Sequence, residues 1–173
     1  MMPPDRDSVS RVIVERIAHF ITPFFTLVGK QLDGPRSAHP HYALELADYV
    51  TVIAVTREGR FLLVRQFRPA VESVTLELPA GHVEPEQDPL GAALAELAEE
   101  TGHVATDVRL VGRLKPDTGR LSNHMWVYVA RDVEPLAAWT PESGIDLVEL
   151  TGDELRGFMR NGNFDHALHL AAL

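Results

Sequence analysis

Three glutamates, Glu96, Glu99 and Glu100, stand three and four residues apart in the stretch AELAEETG. On an α-helix that spacing turns all three carboxylates toward one side. Like charges so placed repel by roughly 0.2–0.5 kcal/mol per pair on an isolated helix. A divalent cation reverses the sign of that interaction. Magnesium in particular takes hard oxygen ligands from one or two carboxylates, waters and substrate phosphates. The same pattern also serves as a plain solvated helix face, and the glutamates by themselves do not separate the two readings.

Composition narrows the field. The formal net charge is −9, which argues against a nucleic-acid polymer as partner, because backbone binding needs a basic stripe. An acidic protein that handles phosphates must neutralise them locally, with a few arginines or bound cations. The chain has 173 residues, 45% apolar and 24% charged, enough for one globular domain with a substantial core. It contains no cysteine. That excludes disulfide scaffolds, thiolate zinc sites and cysteine nucleophiles, and it fits a cytoplasmic protein. The longest apolar runs, such as Tyr49 to Thr56, are strand-sized and too short to span a bilayer, so no membrane partner is expected. The opening MMPPDRD lacks the basic and then apolar run of an export signal.

The elements that must position the glutamates follow from local pattern. Asp88 caps a helix whose first residue is Pro89 and whose stop is Gly102; Leu90, Ala93, Leu94, Leu97 and Ala98 make its apolar side, over about residues 89 to 101. Before it, Tyr42 to Leu46, Tyr49 to Thr56, Phe61 to Phe67 and Val74 to Leu78 read as strands, with Glu58-Gly59 as the turn of a hairpin. After it, Val108 to Lys115, Met125 to Arg131 and Leu147 to Leu150 read as strands, and Asp153 to Arg160 and Phe164 to Leu173 as helices. Residues 11 to 31 read as two extended segments broken at Pro23, and LDGPRSAHP (32 to 40) as a loop. The sum is a layered α/β (α+β) domain with a strand lobe at its N-terminal side.

With a strand, PAG, a loop and a capped helix ending EETG in that order, the segment LPAGHVEPEQDPLGAALAELAEETG resembles the Nudix box. Gly81, Glu96, Glu99, Glu100 and Gly102 fall in its register. Two positions depart from it. Gln87 stands where the family has a glutamate and Ala95 where it has an arginine, side chains that pair in the family and steady the loop against the helix. Losing one partner alone would strand a charge, at roughly 3–5 kcal/mol if buried. Losing both removes the charge problem together, so the change reads as loss of a brace and not of a metal site. Upstream, FLLVRQFRPAV and LELPAG resemble the ADP-ribose pyrophosphatase branch of that family.

The resemblance implies an α/β/α sandwich with a mixed sheet over residues 46–173, preceded by an N-terminal strand segment, residues 1–45, that in this branch often helps build a homodimer. It implies hydrolysis of the pyrophosphate bond of a nucleoside diphosphate-linked small molecule, ADP-ribose or a nucleotide sugar, with magnesium, or alternatively manganese, as cofactor. Glu96 and Glu100 become the principal metal ligands, with Glu99 as a third ligand or a base and Ala80 contributing its carbonyl. Arg68 and Glu77 become substrate residues. Each also has a plainer reading: a surface arginine on a strand end, and a structural salt bridge. A later loop supplies the general base in this branch; Glu142 in TPESGIDLVEL is its nearest counterpart, ahead of Asp146. Asn123, in a polar loop with Asp117 and His124, is a candidate for contact with a sugar or base. His39, His41, His103, His166 and His169 show no metal-ligand spacing and read as ordinary surface or core histidines. The departures at Gln87 and Ala95 leave a second reading open, a Nudix-like module that binds a nucleotide without cleaving it.

Overall fold

In the computed structural model the described residues are 11–34 and 39–173. The opening MMPPDRD and the middle of the 32–40 loop lie outside them. Contacts divide the chain into two units. One ends at Ala47 and takes in Asp117–Asn123; the other comprises Asp48–Pro116 and His124–Leu173.

The first unit carries an antiparallel sheet of β1 (Ile13–Ile21), β2 (Phe25–Leu32) and β3 (His41–Leu46), in that order. The expected break at Pro23 is a tight turn held by Thr22, whose hydroxyl accepts the backbone N–H groups of Phe24 and Phe25. β1 is an edge strand. Its apolar Ile17, Phe20 and Ile21 remain exposed, Phe20 to 58% and Ile21 to 72%.

The second unit is built on a mixed sheet. Its strands are β4 (Tyr49–Thr56), β5 (Phe61–Arg68), β6 (Ser73–Glu77), β7 (Ala80–His82), β8 (His103–Val104), β9 (Asp107–Leu114), β10 (Met125–Pro135) and β11 (Ile145–Leu150). The central path runs β11-β5-β4-β10-β8; β6 pairs with β5, β7 with β4, and β9 with β10. Only the β4–β10 pairing is parallel; every other pairing in this sheet is antiparallel. The expected hairpin turn is present, with Gly59 at φ 77° and Thr56 N–H donating to the Arg60 carbonyl.

Helices cover both faces. α1 (Pro89–Thr101) packs Ala92, Ala93 and Leu97 against Val50, Val52, Ala54 and Leu62. On the other side, Leu63, Leu76, Leu78 and Leu150 meet Leu155 of α2 (Gly152–Arg160) and Phe164. Leu62 and Leu63 are neighbours in β5 yet belong to different cores, as the two-residue period of a strand requires. This is the α/β/α layering with a mixed sheet that the resemblance implied. Two short strands, β7 and β8, were not anticipated. The last helix, α3 (Ala167–Ala172), starts later than expected because Phe164 turns into the core and His166 caps the helix. Among the described residues no helix is long and apolar enough to cross a membrane.

Phe164 is fully buried and joins the short C-terminal helix to the sheet. Phe164→Ala should destabilise the protein by about 3–5 kcal/mol, read from urea denaturation with an unchanged m-value. A loss below about 1 kcal/mol would show that the site collapses around the missing ring.

Candidate active site

α1 is placed by its caps. Asp88 Oδ1 accepts the Gly91 N–H at 2.9 Å, Pro89 opens the helix, and Gly102 ends it in the left-handed conformation at φ 68°. Burial of Ala92, Ala93 and Leu97 against the sheet rotates the glutamates toward the Pro79-Ala80-Gly81 segment. There Glu100 Oε2 accepts the Ala80 N–H at 2.9 Å. Glu96 lies over Gly81, where a Cβ would sit on its carboxylate. A side chain at position 81 would push that carboxylate aside.

The resulting electrostatics are uncompensated. Burial, reinforced by the charges of Glu99 and Glu142, pushes the Glu96 carboxyl up to about 7. Burial also drives Glu100 up to about 8; the Ala80 N–H opposes the rise and the charge of Glu96 adds to it. Two acids raised in this way, Glu100 opposed by a backbone N–H and the field of Arg68, are suited to a divalent cation. The donor set is all oxygen, as magnesium prefers.

Glu142 belongs to the same group, since its charge acts on both Glu96 and Glu100. Trp139 supplies an anchor for its loop. The indole Nε1 donates to the Glu99 carbonyl at 2.9 Å, and the ring packs on Gly102 so closely that a Cβ there would collide with it. The Leu136 N–H donates to the Gly102 carbonyl at 2.8 Å. An open cleft of about 420 Å³ lies along Ala98, Glu99, Trp139 and Glu142. Asp146 sits instead in β11, opposite Arg65 of β5. Trp139 has no signature in the sequence, because its partner is a backbone carbonyl 40 positions away.

On the strand side, Arg68 and Glu77 pair through a two-bond fork at 2.9 and 2.8 Å. Glu77 is 1% exposed, whereas the Arg68 side chain is 43% exposed. Burial works against the Glu77 carboxylate, but Arg68 and the Thr75 hydroxyl outweigh it and hold its pKa down to about 2. Arg68 therefore faces outward while Glu77 holds it from behind. It lines a cleft of about 430 Å³ with Val71, Val74, Thr75, Asp165 and His166. Its charge also reaches Glu100.

Gln87 closes a turn of its own: its Oε1 accepts the Glu84 N–H at 3.1 Å and its backbone N–H donates to the Glu84 carbonyl at 3.0 Å. The loop before α1 is thus steadied locally, without a partner at Ala95. Asn123 belongs to the other unit, where its buried amide donates to the Ala47 carbonyl at 3.0 Å. His169 is buried and close to Glu77 and His166, a grouping that the sequence did not suggest.

Comparison with known proteins agrees with this architecture. Residues 46–164 match the NUDIX domain, and the chain belongs to the Nudix family. It is similar to the methanol dehydrogenase activator of Bacillus methanolicus, 33% identical over 114 residues, 64% of this chain and 62% of that protein. It is similar also to the ADP-ribose pyrophosphatase of Bacillus subtilis (strain 168), 36% identical over 87 residues, 50% and 47% of the two chains. The ADP-sugar pyrophosphatase of Mus musculus is 48% identical over 61 residues, 33% of this chain and 28% of that protein. The chain thus spans less than two thirds of these relatives. A solved structure described as an ADP compounds hydrolase superposes with a TM-score of 0.78, covering 94% of this chain and 89% of that one. At 20% identity that likeness shows the fold.

The Glu77 carboxyl is depressed on folding, so its contribution is present in full above its ordinary value of 4.5 and is lost as pH falls toward about 2. That contribution is on the order of 3 kcal/mol at neutral pH. Urea melts from pH 6 down to pH 2 should show it as a loss of stability that Glu77→Gln flattens. An equally steep acid limb in the variant would assign the loss to other carboxylates.

Proposed function

We propose that the protein hydrolyses the pyrophosphate bond of ADP-ribose or an ADP-sugar with the help of a divalent cation, magnesium in the first instance. The observation that carries this reading is the pair Glu96 and Glu100, half-buried and buried respectively beside the Ala80-Gly81 turn, with both carboxyls raised by burial and by neighbouring acids. The ADP-compound relatives support the substrate class.

Glu96 and Glu100, with Glu99 and the Ala80 carbonyl, would hold the cation, which when bound neutralises phosphate charge and lowers the pKa of water. The protein's own groups do the rest. Glu100 is oriented by the Ala80 N–H, so its carboxylate cannot swing away from the turn. Glu142, exposed on a loop pinned by Trp139, is the base that takes the proton of the attacking water. Glu99 is the neighbouring ligand on the solvent side of α1. Arg68, already aligned by Glu77, offers its outward N–H groups to a phosphate or ribose oxygen in the adjoining cleft. Asn123 has a buried structural bond to Ala47 and takes no part in this assignment.

We also propose that the protein is a homodimer, with residues 1–45 as the dimer-forming segment beside a Nudix domain over 46–173. β1 supports this, being a nine-residue edge strand without proline and with exposed Ile17, Phe20 and Ile21. A second copy of the same strand can pair with it about a two-fold axis and cover both edge and side chains.

Two measurements test these readings. Purified protein with ADP-ribose, ADP-sugars and dinucleotides should release nucleoside monophosphate only when magnesium or manganese is present. Glu142→Gln should lower kcat roughly 10²–10⁴-fold, and Glu100→Gln should abolish both turnover and the rise in Tm that magnesium gives the unaltered protein. Binding of ADP-ribose without turnover would instead identify a nucleotide-binding module. For assembly, sedimentation should show a dimer that Phe20→Asp converts to a folded monomer; an unaltered dimer in that variant rules out β1 as the contact.

A further inference from the structure

Glu77, His166 and His169 offer ligand atoms that all lie within 4.8 Å of one another. The arrangement has the composition of a cation site, but its lone pairs are already engaged. Glu77 receives the Arg68 fork and the Thr75 hydroxyl. His166 Nδ1 accepts the His169 backbone N–H at 3.3 Å. His169 Nδ1 accepts the Leu78 N–H at 3.1 Å. A neutral imidazole that accepts at Nδ1 carries its proton on Nε2, so neither nitrogen of His169 is free to bind a metal.

The bond to Leu78 has a different use. Leu78 follows Glu77 directly and precedes Pro79 and Ala80; it is fully buried, and its N–H donates to the His169 ring. β6 ends at Glu77, so this N–H lies just beyond the ladder with β5, whose final register on this side is Val64 with Glu77. His169 thus caps the strand end from α3, 91 positions later in the chain. Its neutrality matters as much as its position. Burial and the stacked His166 ring, 3.8 Å away between centroids, hold the His169 pKa down to about 3. A cationic ring in the same place would compete with Arg68 for Glu77.

We propose that His169 is a positioning residue for Arg68: by accepting the Leu78 N–H while uncharged, it fixes Glu77 and leaves that carboxylate to the Thr75 hydroxyl and the guanidinium facing the cleft. The substrate part of this inference rests on the proposed hydrolysis of ADP compounds; the geometric part does not. The C-terminal helix thereby belongs to the substrate site although it contributes no side chain of its own to the pyrophosphate.

Two variants separate the roles. Asparagine places an acceptor oxygen near the position of Nδ1, whereas leucine fills the volume without one. His169→Leu should raise KM for ADP-ribose about tenfold with kcat within twofold, and His169→Asn should restore KM to within about threefold of the unaltered enzyme. The Arg68 Nε–H resonance, assigned with Arg68→Lys in ¹⁵N-labelled protein, should exchange slowly in the unaltered protein and in His169→Asn but rapidly in His169→Leu. A lower melting temperature in His169→Leu with unchanged KM and an unchanged Arg68 signal would overturn the proposal and leave His169 a packing residue. Should the leucine variant not fold, the ¹⁵N shift of His169 in the unaltered protein decides: an unprotonated, hydrogen-bonded Nδ1 is required, and a protonated Nδ1 overturns it. If no ADP compound is cleaved while the Arg68 signal still follows His169, the positioning role stands and the proposed reaction falls.

Discussion

The close approach of α1 to the Ala80-Gly81 turn is the constraint on which the site depends. At Gly81 a Cβ would displace the Glu96 carboxylate, which occupies that volume. One residue earlier, the Ala80 N–H is held by Glu100. Burying a carboxylate costs several kcal/mol after relaxation, and here Glu100 is buried and Glu96 half-buried, with the charge of Glu96 acting on Glu100. What holds them there is apolar. Ala92, Ala93 and Leu97 on the same helix are buried against Val50, Val52 and Ala54, and a single leucine removed from water contributes roughly 1.5–3 kcal/mol. The helix cannot withdraw its acids from the turn without uncovering that core.

Along one short stretch of chain, the same kind of group is treated in two opposite ways. Glu77 is buried and fully compensated by Arg68 and Thr75, so its carboxyl is driven down to about 2. Glu96 is half-buried and Glu100 buried, each beside other acids, so their carboxyls rise to about 7 and 8. Environments that push neighbouring acids apart in this way mark a division of labour. Glu77 stays ionised and holds an arginine in place. The pair on α1 retains an unmet demand for positive charge, which is the property a cation-binding site needs before the cation arrives. Arg68 couples the two, since it is bound to one acid and its field reaches another.

How much of this could be read from the sequence depended on the range of the interaction involved. α1 was legible because its determinants are local: Asp88, Pro89, the apolar spacing and Gly102 all lie within the helix or one residue of it. β4 and the hairpin that follows it were legible for the same reason, through alternation and Glu58-Gly59. β7 was not, because the three residues Ala80–His82 become a strand only by pairing with Tyr49–Thr51, some thirty positions earlier. Phe164 looked like the start of a helix face, yet it is the core that claims it. Gln87 is instructive in another way. Compared with the family pattern it reads as a lost brace, whereas its amide oxygen closes the turn at Glu84, something only the loop conformation discloses.

The residues whose roles the sequence did not disclose share a physical trait: they act on backbone atoms far away in sequence. Trp139 donates to the carbonyl of Glu99, and His169 accepts the N–H of Leu78. A side chain paired with a side chain leaves two complementary residue types to find, as Arg68 and Glu77 did. A side chain paired with backbone leaves only one, because every residue except proline presents the same N–H and carbonyl. Both such residues hold a group already singled out. Trp139 anchors the loop of Glu142 on the end of α1, and His169 secures the strand end behind Arg68. The chemistry of this fold was therefore visible as residue types, while the geometry that makes it usable is carried by residues whose partners have no side-chain identity.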